Sequence, residues 1–333
     1  MPKESNRSRF VWALLLVGVA AVYGGGNAVA QDDEARALLQ QMGEALREHS
    51  YDGTFVYTRD GLIETLRIVR SADGEGAQER IYTLSGRAWE LFRGNDKALA
   101  VVAERGISGE PAYFPIMAGM AFRRGNPRVA EEIGSHYAVE LLGEDRVADR
   151  AAWVVAIEPA DRLRYARRFW IDQESYLPLQ AQVRDGGKVV ERLLCTRIEI
   201  DGSAVEVFLE PEAGASAVIQ EQLDRGAGSI ESGATRWHVV ELPAGFQLAL
   251  EGKFRLQSAE GGGPGPAVEH LLYSDGLANV SVYVVSGTEA HRGRMRVGAL
   301  HAAELPIDGY QVTVVGDVPA ETVESFVHGV RKR

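Results

Sequence analysis

Tyr51-Asp-Gly-Thr-Phe-Val-Tyr-Thr-Arg-Asp-Gly-Leu-Ile-Glu-Thr-Leu-Arg-Ile-Val-Arg70 decides the fold class. Two runs rich in β-branched and aromatic residues flank Asp60-Gly61, a dipeptide that tolerates the positive φ angles of a two-residue hairpin turn. The stretch therefore predicts two antiparallel strands, 53–58 and 62–69. Side chains alternate along a strand, so Phe55 and Tyr57 share one face, and Leu62, Leu66 and Ile68 share one face of the return strand.

The hairpin sits between a helix and further strands. In residues 32–50, Ala35, Leu38, Leu39, Met42, Ala45 and Leu46 recur at helical spacing. Asp32, Asp33 and Glu34 put negative charge where the helix dipole favours it. After the hairpin, short strands are predicted over 78–84, 88–92 (with Trp89 and Leu91 on one face) and 97–104. Phe114, Ile116, Met117, Met120 and Phe122 form an apolar patch, read as a loop or short helix over the sheet. Strands resume over 137–142, 152–158, 163–172, 179–183 and 188–200, the last pair turning at Asp185-Gly186-Gly187. A long antiparallel meander of this kind curls into an incomplete barrel, which can enclose an apolar cavity.

Composition changes at 211–235, which reads as a linker. A smaller unit follows over 236–333, with strands at 237–242, 246–250, 253–257, 268–273, 279–285 and 310–315 and a Gly/Pro loop at 261–266. Pro319 opens a closing helix that buries Val323, Phe326, Val327 and Val330, with Arg331, Lys332 and Arg333 at its negative end. The fold class is α+β and mostly antiparallel β: an N-terminal open β-barrel with covering helices over 31–210, then a smaller C-terminal α+β domain.

The first thirty residues read as an address. Lys3, Arg7 and Arg9 precede an apolar run at 10–23, and Ala28-Val29-Ala30 offers a small-x-small cleavage site. Residues 1–30 are therefore expected to be a signal peptide cut after Ala30. The net charge is −11, and loss of that segment, itself +2, leaves −13. An acidic chain disfavours nucleic acid as a partner. The single Cys195 cannot form an internal disulfide and reads as a small buried hydrophobe. Seven scattered histidines show no metal-ligand spacing, no Gly-x-Ser-x-Gly elbow occurs, and no cofactor motif appears. These features point to a binding protein rather than an enzyme, with no catalytic residue assigned.

Four stretches resemble the RseB/MucB family. They are 51–70; Phe169-Trp-Ile-Asp-Gln-Glu-Ser-Tyr-Leu-Pro-Leu-Gln180 continuing through 191–199; Tyr273-Ser-Asp-Gly-Leu-Ala-Asn-Val-Ser-Val-Tyr-Val284; and Val312-Thr-Val-Val-Gly-Asp-Val-Pro319. The resemblance implies an N-terminal domain similar to the LolA/LolB lipoprotein carriers and a C-terminal domain that contacts the periplasmic segment of a membrane-spanning anti-sigma factor. It further implies a periplasmic negative regulator of an extracytoplasmic-function sigma factor. Such a regulator shields the anti-sigma factor from a stress protease and is released by lipid or lipopolysaccharide signals.

Under that resemblance, Phe55, Tyr57, Leu66, Ile68, Trp89, Leu91, Ile116, Met117, Met120 and Phe122 are candidates to line a lipid cavity. Each buried methylene of an acyl chain would contribute about 0.8 kcal/mol. The same pattern fits a packed core, because every sheet buries one face. Arg292, Arg294 and Arg296 alternate along an extended stretch of the C-terminal unit and are candidates for the partner contact. Two other basic clusters, Arg123/Arg124/Arg128 and Arg162/Arg164/Arg167/Arg168, fit either anion binding or a solvated face. The competing reading is a periplasmic lipid or lipoprotein carrier, which has no need of residues 236–333. A hydrolase acting on envelope material is a third reading. Self-association is open.

Overall fold

A computed structural model describes residues 25–72, 77–86, 89–94, 98–103, 133, 136–202, 231–257, 264–286 and 291–333. Most of the expected signal segment, the patch with Ile116, Met117, Met120 and Phe122, the cluster Arg123/Arg124/Arg128 and most of the linker lie outside the described residues.

Helix α1 (Gly25–Glu48) starts upstream of the expected Asp32, so in the uncut chain it runs through the anticipated cleavage site. It buries Ala35, Leu38, Leu39, Met42, Ala45 and Leu46, the residues that the 3.6 spacing selects. The first lobe is one ten-stranded antiparallel sheet, built from β1 (Tyr51–Arg59), β2 (Leu62–Ala72), β3 (Ala77–Thr83), β4 (Trp89–Gly94), β5 (Ala98–Ala103), β6 (Tyr137–Val147), β7 (Arg150–Pro159), β8 (Ala166–Asp172), β9 (Pro178–Asp185) and β10 (Lys188–Ile200). The order is β5-β4-β3-β2-β1-β10-β9-β8-β7-β6. Two meanders meet where β1 pairs with β10, and among the described residues β5 and β6 are the two edges, so the sheet does not close on itself. Helix α1 lies against β6 and β7.

The deciding hairpin forms as read. Phe55 pairs with Leu66 and Arg59 with Leu62, and the turn residues have φ of 45° at Asp60 and 80° at Gly61. Only a residue tolerant of the left-handed region holds the second position. Cys195 is buried on β10 opposite Phe55, and burial pushes its thiol up to about 12, the environment of a small hydrophobe.

The second lobe is a seven-stranded antiparallel sheet in the order β11-β13-β14-β15-β18-β17-β16. Its strands are β11 (Glu231–Ser232), β13 (Gln247–Gln257), β14 (Pro264–Ser274), β15 (Asn279–Ser286), β16 (Gly293–Val297), β17 (Leu300–Ile307) and β18 (Tyr310–Gly316). Helix α2 (Ala320–Gly329) covers one face. Phe326 is fully buried there, with the Phe246 and Tyr273 rings edge-on, each at 5.4 Å between centroids.

Several expectations change. The two strands at 246–250 and 253–257 are one strand, β13, because register shifts near Leu248 and Gln257 absorb the irregularity. Pro264-Gly265-Pro266 belongs to the start of β14 rather than to a loop. The expected strand 237–242 shortens to β12 (Trp237–Val239). Val330, Arg331 and Lys332 leave the helix and form β19 (Val330–Lys332), which pairs with β12 in a separate two-stranded sheet. The terminal cations therefore do not act on the helix dipole as a last turn would. Strand β17, unread in the sequence, lies one strand in from the β16 edge and is paired on both sides.

Candidate functional site

The lobes are joined by buried charge. Arg164 and Arg167, read from sequence as an anion site or a solvated face, are neither. The Arg164 side chain is fully buried and donates from Nε to Asp275 Oδ2 at 2.5 Å. It also pairs with Asp161 and donates to the carbonyl of Ala244. Its guanidinium lies 5.0 Å from the Phe246 ring centroid and 5.7 Å from that of Tyr137. The Tyr137 hydroxyl donates to the same Asp275 oxygen at 2.9 Å. The other Asp275 oxygen accepts the N–H groups of Leu277 and Ala278, which shapes the β14–β15 turn.

A second pair lies alongside. Arg167 Nη2 donates to Asp317 Oδ2 at 2.6 Å, and Asp317 Oδ1 accepts the Asn279 N–H at 2.8 Å. Burial raises the Asp317 carboxyl to about 6 despite the opposing pull of Arg167. Thr322, at the start of α2, donates its hydroxyl to the Leu163 carbonyl at 2.7 Å. Asp275 and Asp317 lie within the third and fourth stretches that carried the resemblance. Those motifs thus hold the carboxylates that fasten the second lobe to the first.

A further contact joins the lobes at the tip of the β16–β17 hairpin. Gly298 donates its N–H to Asp60 Oδ2 at 2.6 Å, and Ala299 donates to Glu191 Oε1 at 2.7 Å. Ala299 is buried in a small apolar cluster with Tyr165 and Val183 of the first lobe. Glu191 is raised by burial against the pull of the Ala299 N–H. The buried Tyr57 hydroxyl sits in the field of this carboxylate.

Two of the three candidate partner arginines, Arg292 and Arg294, line a groove, and Arg296 does not. A cavity of about 390 Å³ opens between α2 and the β16–β17 hairpin. Ala303, Leu305 and Val327 form its apolar wall, and Arg292, Arg294, Glu304, Glu324 and His328 bring charge to it. Strand β16 is the edge of its sheet, with an exposed face along nearly its whole length. The arginines are not all free cations. Arg294 pairs with Glu324, and Arg296 pairs with Asp60 at 3.3 Å, while Arg292 has no ion pair among the described residues. Sequence alternation found the arginines but not their carboxylates, since Asp60 lies in another lobe.

The candidate lipid residues fall into three groups. Phe55, Tyr57, Leu66 and Ile68 come together, all buried in one apolar cluster with the inner face of α1. Trp89 and Leu91 lie in β4, where Leu91 is in register with Ile81 and Val101. Ile116, Met117, Met120 and Phe122 are outside the described residues.

Residues 34–219 match the family model of the MucB/RseB N-terminal domain, and residues 231–331 match that of the MucB/RseB C-terminal domain. The chain is 30% identical to the sigma factor AlgU regulatory protein MucB of Pseudomonas aeruginosa, over 90% of this chain and 92% of that protein. It is 24% identical to the sigma-E factor regulatory protein RseB of Escherichia coli, over 89% of this chain and 90% of that protein. Among solved structures, the complex of P. aeruginosa MucA and MucB is similar with a TM-score of 0.66 and 28% identity, covering 90% of this chain and 99% of that one. From its two domains in their order, and from these relatives, the chain belongs to the MucB/RseB family.

Proposed function

We infer that this protein is a periplasmic regulator that binds the periplasmic segment of a membrane-spanning anti-sigma factor. In this reading it shields that segment from regulated proteolysis and is released by lipid or lipopolysaccharide signals. The relative MucB has been solved in complex with MucA(peri). Within this chain, the groove beside β16 carries the reading: an open strand edge, an apolar wall and the cationic Arg292 together suit an extended acidic segment with apolar side chains. The lipid signal is assigned to the first lobe. An acyl chain would enter the apolar cluster that holds Phe55, Tyr57, Leu66 and Ile68 together with the inner face of α1.

The test uses the chain from Gln31 and the periplasmic segment of the anti-sigma factor from the same organism. Co-purification and slowed cleavage of the segment by the stress protease are expected, with lipopolysaccharide restoring cleavage. Arg292→Ala combined with Arg294→Ala is expected to weaken association about tenfold, the scale of losing charge-assisted contacts. A segment that does not associate sinks the reading. Acyl cargo handed to an acceptor, with no effect on cleavage, would instead favour the carrier.

A further inference from the structure

We propose that the Gly298-Ala299 turn, seated on Asp60 and Glu191, is a latch through which the first lobe sets the shape of the partner groove. The inference rests on the partner reading above and adds its regulation.

The groove has two walls with separate supports. Helix α2 is held to the first lobe at its start, by Thr322 on the Leu163 carbonyl and by Asp317 on Arg167. The opposite wall is the β16–β17 hairpin, and β16 has a neighbour on only one side. Strand β17 ties the hairpin to β18, and Gln311 holds His291 at its far end, so the part of the hairpin left for the first lobe to hold is its tip. The tip is held by two carboxylates of the first lobe, each accepting a backbone N–H, and by Arg296 paired with Asp60. Releasing the tip loosens the end of this wall nearest the first lobe, from Arg296 toward Arg294, while α2 and the Gln311-held end at His291 stay fixed. A groove that must then be re-formed on binding loses affinity through ordering entropy.

The seat is built close to the candidate lipid face. Asp60 is the turn residue between β1 and β2, the strands that carry Phe55, Tyr57, Leu66 and Ile68. Glu191 is paired in register with Arg59 on β1 and shares the field of the buried Tyr57 hydroxyl. A displacement of Tyr57 reaches Asp60 three residues along the chain, and Glu191 through its register partner Arg59, two residues along. The turn itself tolerates no bulk. Gly298 has φ of 59°, and a Cβ there would collide with Glu191 Oε1.

The experiment uses the full mature chain with the same anti-sigma segment as probe. Exchange of the Gly298 and Ala299 amides is followed by mass spectrometry, and affinity by calorimetry. Glu191→Ala removes the Ala299 acceptor from the seat and leaves every residue that lines the groove unsubstituted. It is expected to speed exchange at 298–299 and to lower affinity about five- to hundredfold, the usual range of coupling between sites. Glu191→Gln keeps an acceptor oxygen and is expected to recover most of that loss. Gly298→Val gives the same result from the other side of the contact. Faster exchange with affinity unchanged within about twofold overturns the latch but leaves the partner reading standing. Unchanged exchange in Glu191→Ala also overturns it, because the seat then does not hold the turn. A wild-type chain that binds no segment overturns the partner reading first, and this inference with it.

Discussion

Two places where the lobes touch among the described residues differ in kind. At Arg164–Asp275 and Arg167–Asp317 all four side chains are at most 7% exposed, and each carboxylate also accepts backbone N–H groups of its own lobe. At the hairpin tip, Arg296 is 51% and Asp60 42% exposed. A buried pair is costly to assemble but more costly to break, since removing one partner leaves a charge without solvent or counter-charge. An exposed pair is screened by water and salt, and its loss costs little. The first contact, with two buried ion pairs, therefore acts as a fixed joint, and the second, with one exposed ion pair beside the buried Glu191–Ala299 bond, is the easier of the two to open.

The largest effect should come from the joint. Arg164→Met keeps the stacked aliphatic volume between Tyr137 and Phe246 but strands the Asp275 charge. A loss of about 3–5 kcal/mol is expected. Denaturation should change from one cooperative transition to two as the lobes lose their mutual support. A single transition with unchanged midpoint would remove the distinction between joint and latch.

Much of this architecture is legible in the residues. Asp60-Gly61 announces the first hairpin, and α1 buries the face chosen by its spacing. The failures have physical causes. Strand β17 contains Ala302-Ala303 and Pro306, poor strand formers alone, and is held by pairing on both sides. The β6–β7 turn is made by Ala148-Asp149, both at positive φ, with no glycine to mark it. Arg164 looks like its neighbours in the sequence, but its partner Asp275 lies 111 residues away. Long-range pairing of that kind leaves no local trace. The alternation of Arg292, Arg294 and Arg296 said nothing of Glu324 and Asp60, which already engage two of them.

The joint should also respond to pH, by an amount of the order of a kcal/mol. Burial raises Asp317 to about 6 from its ordinary 3.8. The groups facing it are Arg167 and the Asn279 N–H, which favour its charge, and Asp275, which opposes it. The joined state therefore binds a proton more readily than the unfolded chain. Its contribution to stability is complete below about pH 4 and is lost as pH rises through about 6. Asp317→Asn keeps an acceptor for Arg167 and should flatten the slope of Tm against pH in that window. A slope unaltered by the substitution would assign the dependence to other groups.

The smallest effect should come from the exposed ion pair of the latch. In Arg296→Ala, Asp60 keeps the Gly298 N–H and Glu191 keeps the Ala299 N–H, so the seat retains both carboxylate contacts. What is lost is a half-exposed pair at 3.3 Å and the Arg296 donation to the Gly298 carbonyl. Such a pair contributes about 0–1 kcal/mol. Amide exchange at 298–299 should therefore rise by no more than about fivefold in the variant. Salt provides the sharper comparison, because screening shortens the reach of charge to about 3 Å at 1 M. In the wild type, high salt should reproduce most of the Arg296→Ala effect, and in the variant salt should add little. If Arg296→Ala instead loosened the turn as far as Glu191→Ala, the ion pair rather than the two carboxylate–amide bonds would be holding the hairpin tip.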